Sequence, residues 1–186
     1  MSASSCTAAR DGAGDRTSEM GRPQRRASTP ATIVNHARYA VQFESVADFA
    51  KSYSIVVATI TDEQRQEPYG PEYARNINRT LSVNVEEILA GPSPAPASFV
   101  DWGWVVTADG EHPVVAEGGV RLKVGDRAVL ILSRFGEKIE LVNDQAVFLL
   151  SDGNVIDTDR HDPLVRQLEQ LTERELKDEI RRRVRS

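Results

Sequence analysis

The residues of this 186-residue chain that could do chemistry are few and scattered. His36, His112 and His161 each lack a second His or Cys at metal-ligand spacing. The best local group, Asp109, Glu111 and His112, falls in a hairpin turn where solvated polar residues are normal. The single cysteine, Cys6, lies near the start and permits no internal disulfide. There is no Gly-x-Ser-x-Gly elbow and no glycine-rich loop followed by lysine. Carboxylates are abundant, but an acidic surface accounts for them. The sequence therefore nominates no catalytic residue, no metal site and no cofactor.

Two groups of residues are candidates for binding instead. Trp102 and Trp104 stand two apart on a predicted strand and would share one face. Facing inward they are core, the preferred reading; facing outward they form an aromatic platform. Tyr69, Tyr73, Arg75 and Asn76 lie in a long polar stretch, Asp62 to Arg79, predicted as a loop on a rigid scaffold. A binding loop and a disordered arm are both open readings of it. "VGD", Val124 to Asp126, is a glycine turn that launches a strand. A phosphate cradle there would need more converging backbone N–H groups and a helix behind them.

The surrounding elements are mostly strands. "SIVVATIT" (54–61) is apolar on both faces, as in a buried strand. "TLSVNVEEIL" alternates, with Leu81, Val83 and Val85 on one side. "SFVDWGWVV", "PVVA", "RAVLILS", "KIELV", "AVFLL" and "VID" follow, separated by turns, with Gly103 marking a bulge or bend. Strands at this spacing predict a mainly β fold: a small, closed or nearly closed antiparallel barrel of five to seven strands. Its expected core is Ile55, Val57, Val83, Val85, Val129, Ile131, Phe148 and Leu150.

Three domains of character are expected. Residues 1–30 are too poor in bulky apolar groups to fold and form a disordered tail. Residues 31–158 hold the barrel, with a flanking helix at 45–53 capped by Ser45. Residues 159–186 form a C-terminal helical extension: Asp162-Pro163 starts one helix and a Thr172–Glu175 capping box starts another. The second, ending in Arg181, Arg182, Arg183 and Arg185, is expected to project and offer a contact to an acidic protein partner.

Net charge divides as +2, −8 and +1 over these segments, from a total of −5. A central domain at −8 repels phosphate backbones, so nucleic acid is not the expected partner. No apolar run is long enough to span a membrane, and no signal peptide is visible. A cytoplasmic location follows, unless the true start lies upstream with an export signal. Arginine far exceeds lysine, which suits a GC-rich bacterial coding sequence.

The motifs "SIVVATIT", "LSVNVEEILAGP", "EGGVRLKVGDRAVLILS" and "AVFLLSDGNVI", in this order over roughly 54–157, resemble a bacterial OB-like barrel family related in outline to the netrin-type domains of metalloproteinase inhibitors. The resemblance implies a five-stranded Greek-key barrel with an added helix. The inhibitors act through an N-terminal cysteine and disulfides; this chain has neither, so no inhibitory activity and no site residue carry over. The function expected is a non-catalytic binding or interaction module. The alternatives are a hydrolase-type enzyme using carboxylates near 62–79, and a purely structural domain.

Overall fold

The computed structural model describes residues 32–35, 54–91, 95–116, 119–142, 146–158 and 162–184. The expected tail at 1–30, the helix at 45–53, Cys6, His36 and His161 lie outside the described residues. Nine strands and two helices occur in the order β1 (Ile33–Asn35), β2 (Ser54–Arg65), β3 (Arg75–Ala90), β4 (Ser98–Thr107), β5 (Gly110–Ala116), β6 (Arg127–Phe135), β7 (Lys138–Leu141), β8 (Val147–Ser151), β9 (Asn154–Val155), α1 (Pro163–Glu169) and α2 (Glu173–Val184). The chain is thus mainly β with two C-terminal helices. Among the described residues no helix is long and apolar enough to cross a membrane.

The sheet order is β1-β5-β4-β3-β2-β6-β8-β9. β7 lies off this path, antiparallel to β6 and parallel to β4. Of the expected closed or nearly closed barrel of five to seven strands, the strand count and full closure need correction. Among the described residues there are nine strands, and β4 meets the four-residue β7 through one residue pair, Val100 with Glu140. A strand that short cannot zip the seam, so the sheet curls without closing into a barrel. Three register shifts along β2 and β3 supply the curl, because each irregularity bends and twists the long strand pair.

The expected polar loop at 62–79 is half strand. β2 runs on to Arg65 and β3 begins at Arg75, with Asp62 to Arg65 paired to Arg79 to Ser82. Polar composition misleads here because one face of this extension meets water and the other carries ion pairs, so neither needs an apolar run.

Burial on both faces explains the apolar pattern of β2. Val56, Ala58 and Ile60 point inward to Leu81, Val83, Phe99, Leu122 and Leu130. Ile55 and Val57 point outward to Val129, Ile131, Phe148, Leu150 and the helices. Of the expected core residues, only Val85 is half-buried rather than buried.

The helices start where their caps predict. The Asp162 carboxylate accepts hydrogen bonds from the Leu164 and Val165 N–H groups, and Thr172 and Glu175 form the reciprocal box. The expectation that α2 projects is wrong. Leu176 and Ile180 are buried in the same cluster as Ile55 and Phe148, and Arg181 pairs with Glu87 on β3. The i, i+4 apolar pair suffices because the outer sheet face beneath it is itself apolar and needs a cover.

An ionic seam borders this helix cover. Arg127 on β6 donates to both Glu173 oxygens, at 2.7 and 2.9 Å, and to Glu86 at 2.7 Å. Hydrogen bonds from Arg127 and then Lys177 hold the Glu173 carboxyl down at about 2, against an ordinary 4.5. A depressed folded-state pKa stabilises the fold above the unfolded value and loses that stabilisation as pH falls. Glu173→Gln is therefore expected to cost about 1–2 kcal/mol at neutral pH, the value being kept low because the cluster reaches solvent. Urea unfolding at stepped pH should show the gap between wild type and variant narrowing from about pH 4.5 towards 2; a constant gap would contradict the ion-pair role.

Candidate functional site

The six nominated binding residues gather at the end of the sheet away from the helices, but on two different faces. The cause is Gly103. Trp104 pairs with Ile77 and Trp102 pairs with Asn78, neighbours on β3, so Gly103 is an extra residue bulged out of β4. Paired residues share a face and successive residues alternate. The two tryptophans therefore fall on opposite sides, which corrects the expectation that they share one. The bulge needs glycine: a Cβ at position 103 would stand 2.5 Å from the Ile77 carbonyl oxygen.

The outer face carries Tyr69, Asn76, Asn78 and Trp102. Tyr69 is not on a free loop. Its N–H donates to the Asn76 carbonyl at 2.9 Å and its carbonyl accepts from the Asn76 N–H at 2.8 Å, adding a rung beyond β3. Its hydroxyl donates to Asn78 Oδ1 at 3.1 Å. Gln66 anchors the chain in the same way, its N–H donating to the Asn78 carbonyl and its side-chain amide to Thr80 Oγ1. The aromatic surface stays open to water: Trp102 is 37% exposed, Tyr69 47% and Tyr73, at the turn, 81%.

The inner face is its opposite in character. Arg79 is 1% exposed, the largest fully buried side chain described. Its Nε and Nη2 donate to Asp101 at 3.0 and 2.6 Å, and its Nη1 donates to Glu63 at 3.2 Å and the Leu122 carbonyl at 2.8 Å. Arg121 donates to the Gly103 carbonyl at 2.7 Å and lies 4.9 Å over the Trp104 ring. Arg65 lies 5.1 Å over the same ring while gripping Glu111 with two hydrogen bonds. Trp104 thus faces inward under two cations, half-buried and outside both core clusters rather than core. Arg75 shares this side, opposite Val106, and is exposed.

Burial pushes the Asp101 carboxyl above the usual carboxylate range, with the Arg79 guanidinium opposing it. A raised carboxyl is a feature of acid catalysts. Here, however, its hydrogen-bonding oxygen is taken by Arg79 and it points away from Tyr69 and Trp102. Arg79 and Asp101 escaped the sequence reading, although a signal existed. Carrying the Leu81–Val83 alternation backwards places Arg79 and Ile77 on the buried side, and an arginine in that register demands a carboxylate partner.

The other nominees resolve simply. Asp109, Glu111 and His112 do not converge: Glu111 is held by Arg65, while His112 lies 3.5 Å from Asp109. No three His, Cys, Asp or Glu among the described residues are placed to hold a metal ion. The VGD turn is a strand-launching turn: Asp126 accepts from the Lys123 N–H, and Gly125 and Asp126 exchange backbone hydrogen bonds with Ile60. Compared with known proteins, the chain matches no protein-family model and no curated protein.

Proposed function

We propose that this chain is a non-catalytic binding module on an OB-like curled sheet, and that its ligand face is the outer surface of β3 and β4 around Tyr69, Asn76, Asn78 and Trp102. One observation carries the reading: exposed aromatic rings on that face are mounted on hydrogen-bonded strands and flanked by the Asn78 and Gln66 side-chain amides, each held by an internal hydrogen bond. Preorganised aromatic surface binds at low entropic cost, since little is left to order. The pairing order supports the OB-like part of the reading: β2, β3 and β4 form a meander, β7 runs parallel to β4, and β6 returns beside β2. The hydrolase alternative would be favoured by a buried carboxylate of strongly shifted pKa near Tyr69 or Tyr73; Asp101 is buried and raised, but it lies on the opposite face of β4 and is held by Arg79.

The test is a binding screen of the full chain against immobilised glycans, peptides and oligonucleotides, repeated with Tyr69→Ala/Trp102→Ala. The ligands retained by wild type are expected to be lost by the double variant without a change in melting temperature. Retention undiminished by the double variant would place the ligand face elsewhere.

A further inference from the structure

The open face is mixed in chemistry, and the mixture narrows what it can hold. Around the rings of Tyr69 and Trp102 stand Gln66, Asn76, Asn78 and Thr80, all polar and all uncharged. The titratable groups at its margin are the carboxylates of Asp62, paired opposite Ser82, and of the exposed Glu67 and Glu72 of the turn, and on the β5 side His112, in register with Asn76 through Val105 and 3.5 Å from Asp109. Of the described arginines nearby, Arg65, Arg75 and Arg79 belong to the inner side of the sheet, and Arg121, which lines a small cleft with Trp102 and Arg79, is turned to the Gly103 carbonyl and the Trp104 ring; Arg65 and Arg79 are already paired with carboxylates. A polyanion would meet repulsion from the carboxylates at the margin. An acidic peptide would meet the same repulsion, and a basic one would find its carboxylate partners only at the margin and not beside the rings. A purely apolar ligand would leave the amides desolvated.

We infer that the ligand of this face is a neutral sugar chain: the face pairs exposed tyrosine and tryptophan rings with amide side chains, and among the described residues no formal charge stands between them. The inference rests on the binding-module reading above. A pyranose ring presents a C–H face to an aromatic ring and hydroxyl groups at its rim to amides, which answers both components together. The surface is open sheet rather than an enclosing pocket. An extended chain of repeating rings can gather area along such a surface, whereas small isolated ligands favour concave sites.

Calorimetric titration of the full-length protein with short, uncharged oligosaccharides of glucose, xylose, mannose and N-acetylglucosamine tests this. Single-stranded oligonucleotides and a set of acidic, basic and apolar peptides are run alongside. At least one sugar series is expected to bind, with affinity rising with chain length. Trp102→Ala and Tyr69→Ala should each weaken it about tenfold, while Trp104→Phe should leave it unchanged. Both alanine variants replace exposed groups, so matched melting temperatures exclude misfolding. If every sugar fails to bind at about 10 mM while a peptide or oligonucleotide binds and is lost in Trp102→Ala, the sugar assignment is overturned and the binding face stands. If a sugar binds but both alanine variants bind it as wild type does, the face itself is wrong.

Discussion

Replacing Arg79 with methionine will lower the unfolding free energy by about 3–5 kcal/mol, the largest effect expected of any single polar substitution here. The guanidinium is fully enclosed and satisfies Asp101, Glu63 and the Leu122 carbonyl at once. Removing it leaves the Asp101 carboxylate buried without its hydrogen-bonding partner and with only the Arg121 charge nearby to oppose its own, and that weakly compensated charge is the chief cost. The double variant Arg79→Met/Asp101→Leu should therefore be more stable than Arg79→Met alone, because the pair is expensive to bury and is missed mainly when half of it remains. Urea unfolding of the two variants checks both statements. Equal stability of the single variant and wild type would mean that the inner face is wet.

Truncation after Leu171 will lower the melting temperature by more than about 10 °C or prevent folding. The cut removes Leu176 and Ile180, which are buried against the β2, β6 and β8 side chains, and also Glu173, the partner of Arg127. Loss of each buried aliphatic side chain costs about 2–5 kcal/mol, in a protein whose whole margin is expected to be about 5–15 kcal/mol. Ile180→Ala provides a milder variant that should fold and melt lower. Unchanged melting of the truncated chain would restore the projecting helix that its charge pattern suggested.

Strand positions and helix caps were legible in the sequence because each rests on local rules. Alternation around Val83, an unbroken apolar run at Ile55 to Ile60, and the Asp162-Pro163 and Thr172–Glu175 signals each act within a few residues. What was not legible depends on long-range partners. The polar ends of β2 and β3 look like loop until Arg65 finds Glu111 and Arg79 finds Asp101 across the sheet. The position of α2 depends on an apolar outer sheet face that no local pattern in α2 reveals. Closure of the sheet turned on one pair between β4 and β7, far apart in sequence. The candidate site was half legible. Tyr69, Asn76 and Trp102 were singled out by residue type, and the bulge at Gly103 was anticipated. Its consequence, one tryptophan outward and the other locked under arginines, follows only from the register with β3.

The most direct test uses the two indole N–H resonances of the full-length protein, assigned through Trp102→Phe and Trp104→Phe and followed by NMR as ligand is added. The account predicts that the Trp102 signal moves in step with binding, together with the side-chain amides of Asn76 and Asn78, while the Trp104 signal stays in place. A ligand that shifts Trp104 and leaves Trp102 and Asn78 unmoved would put binding on the inner, charged side of the sheet and contradict it.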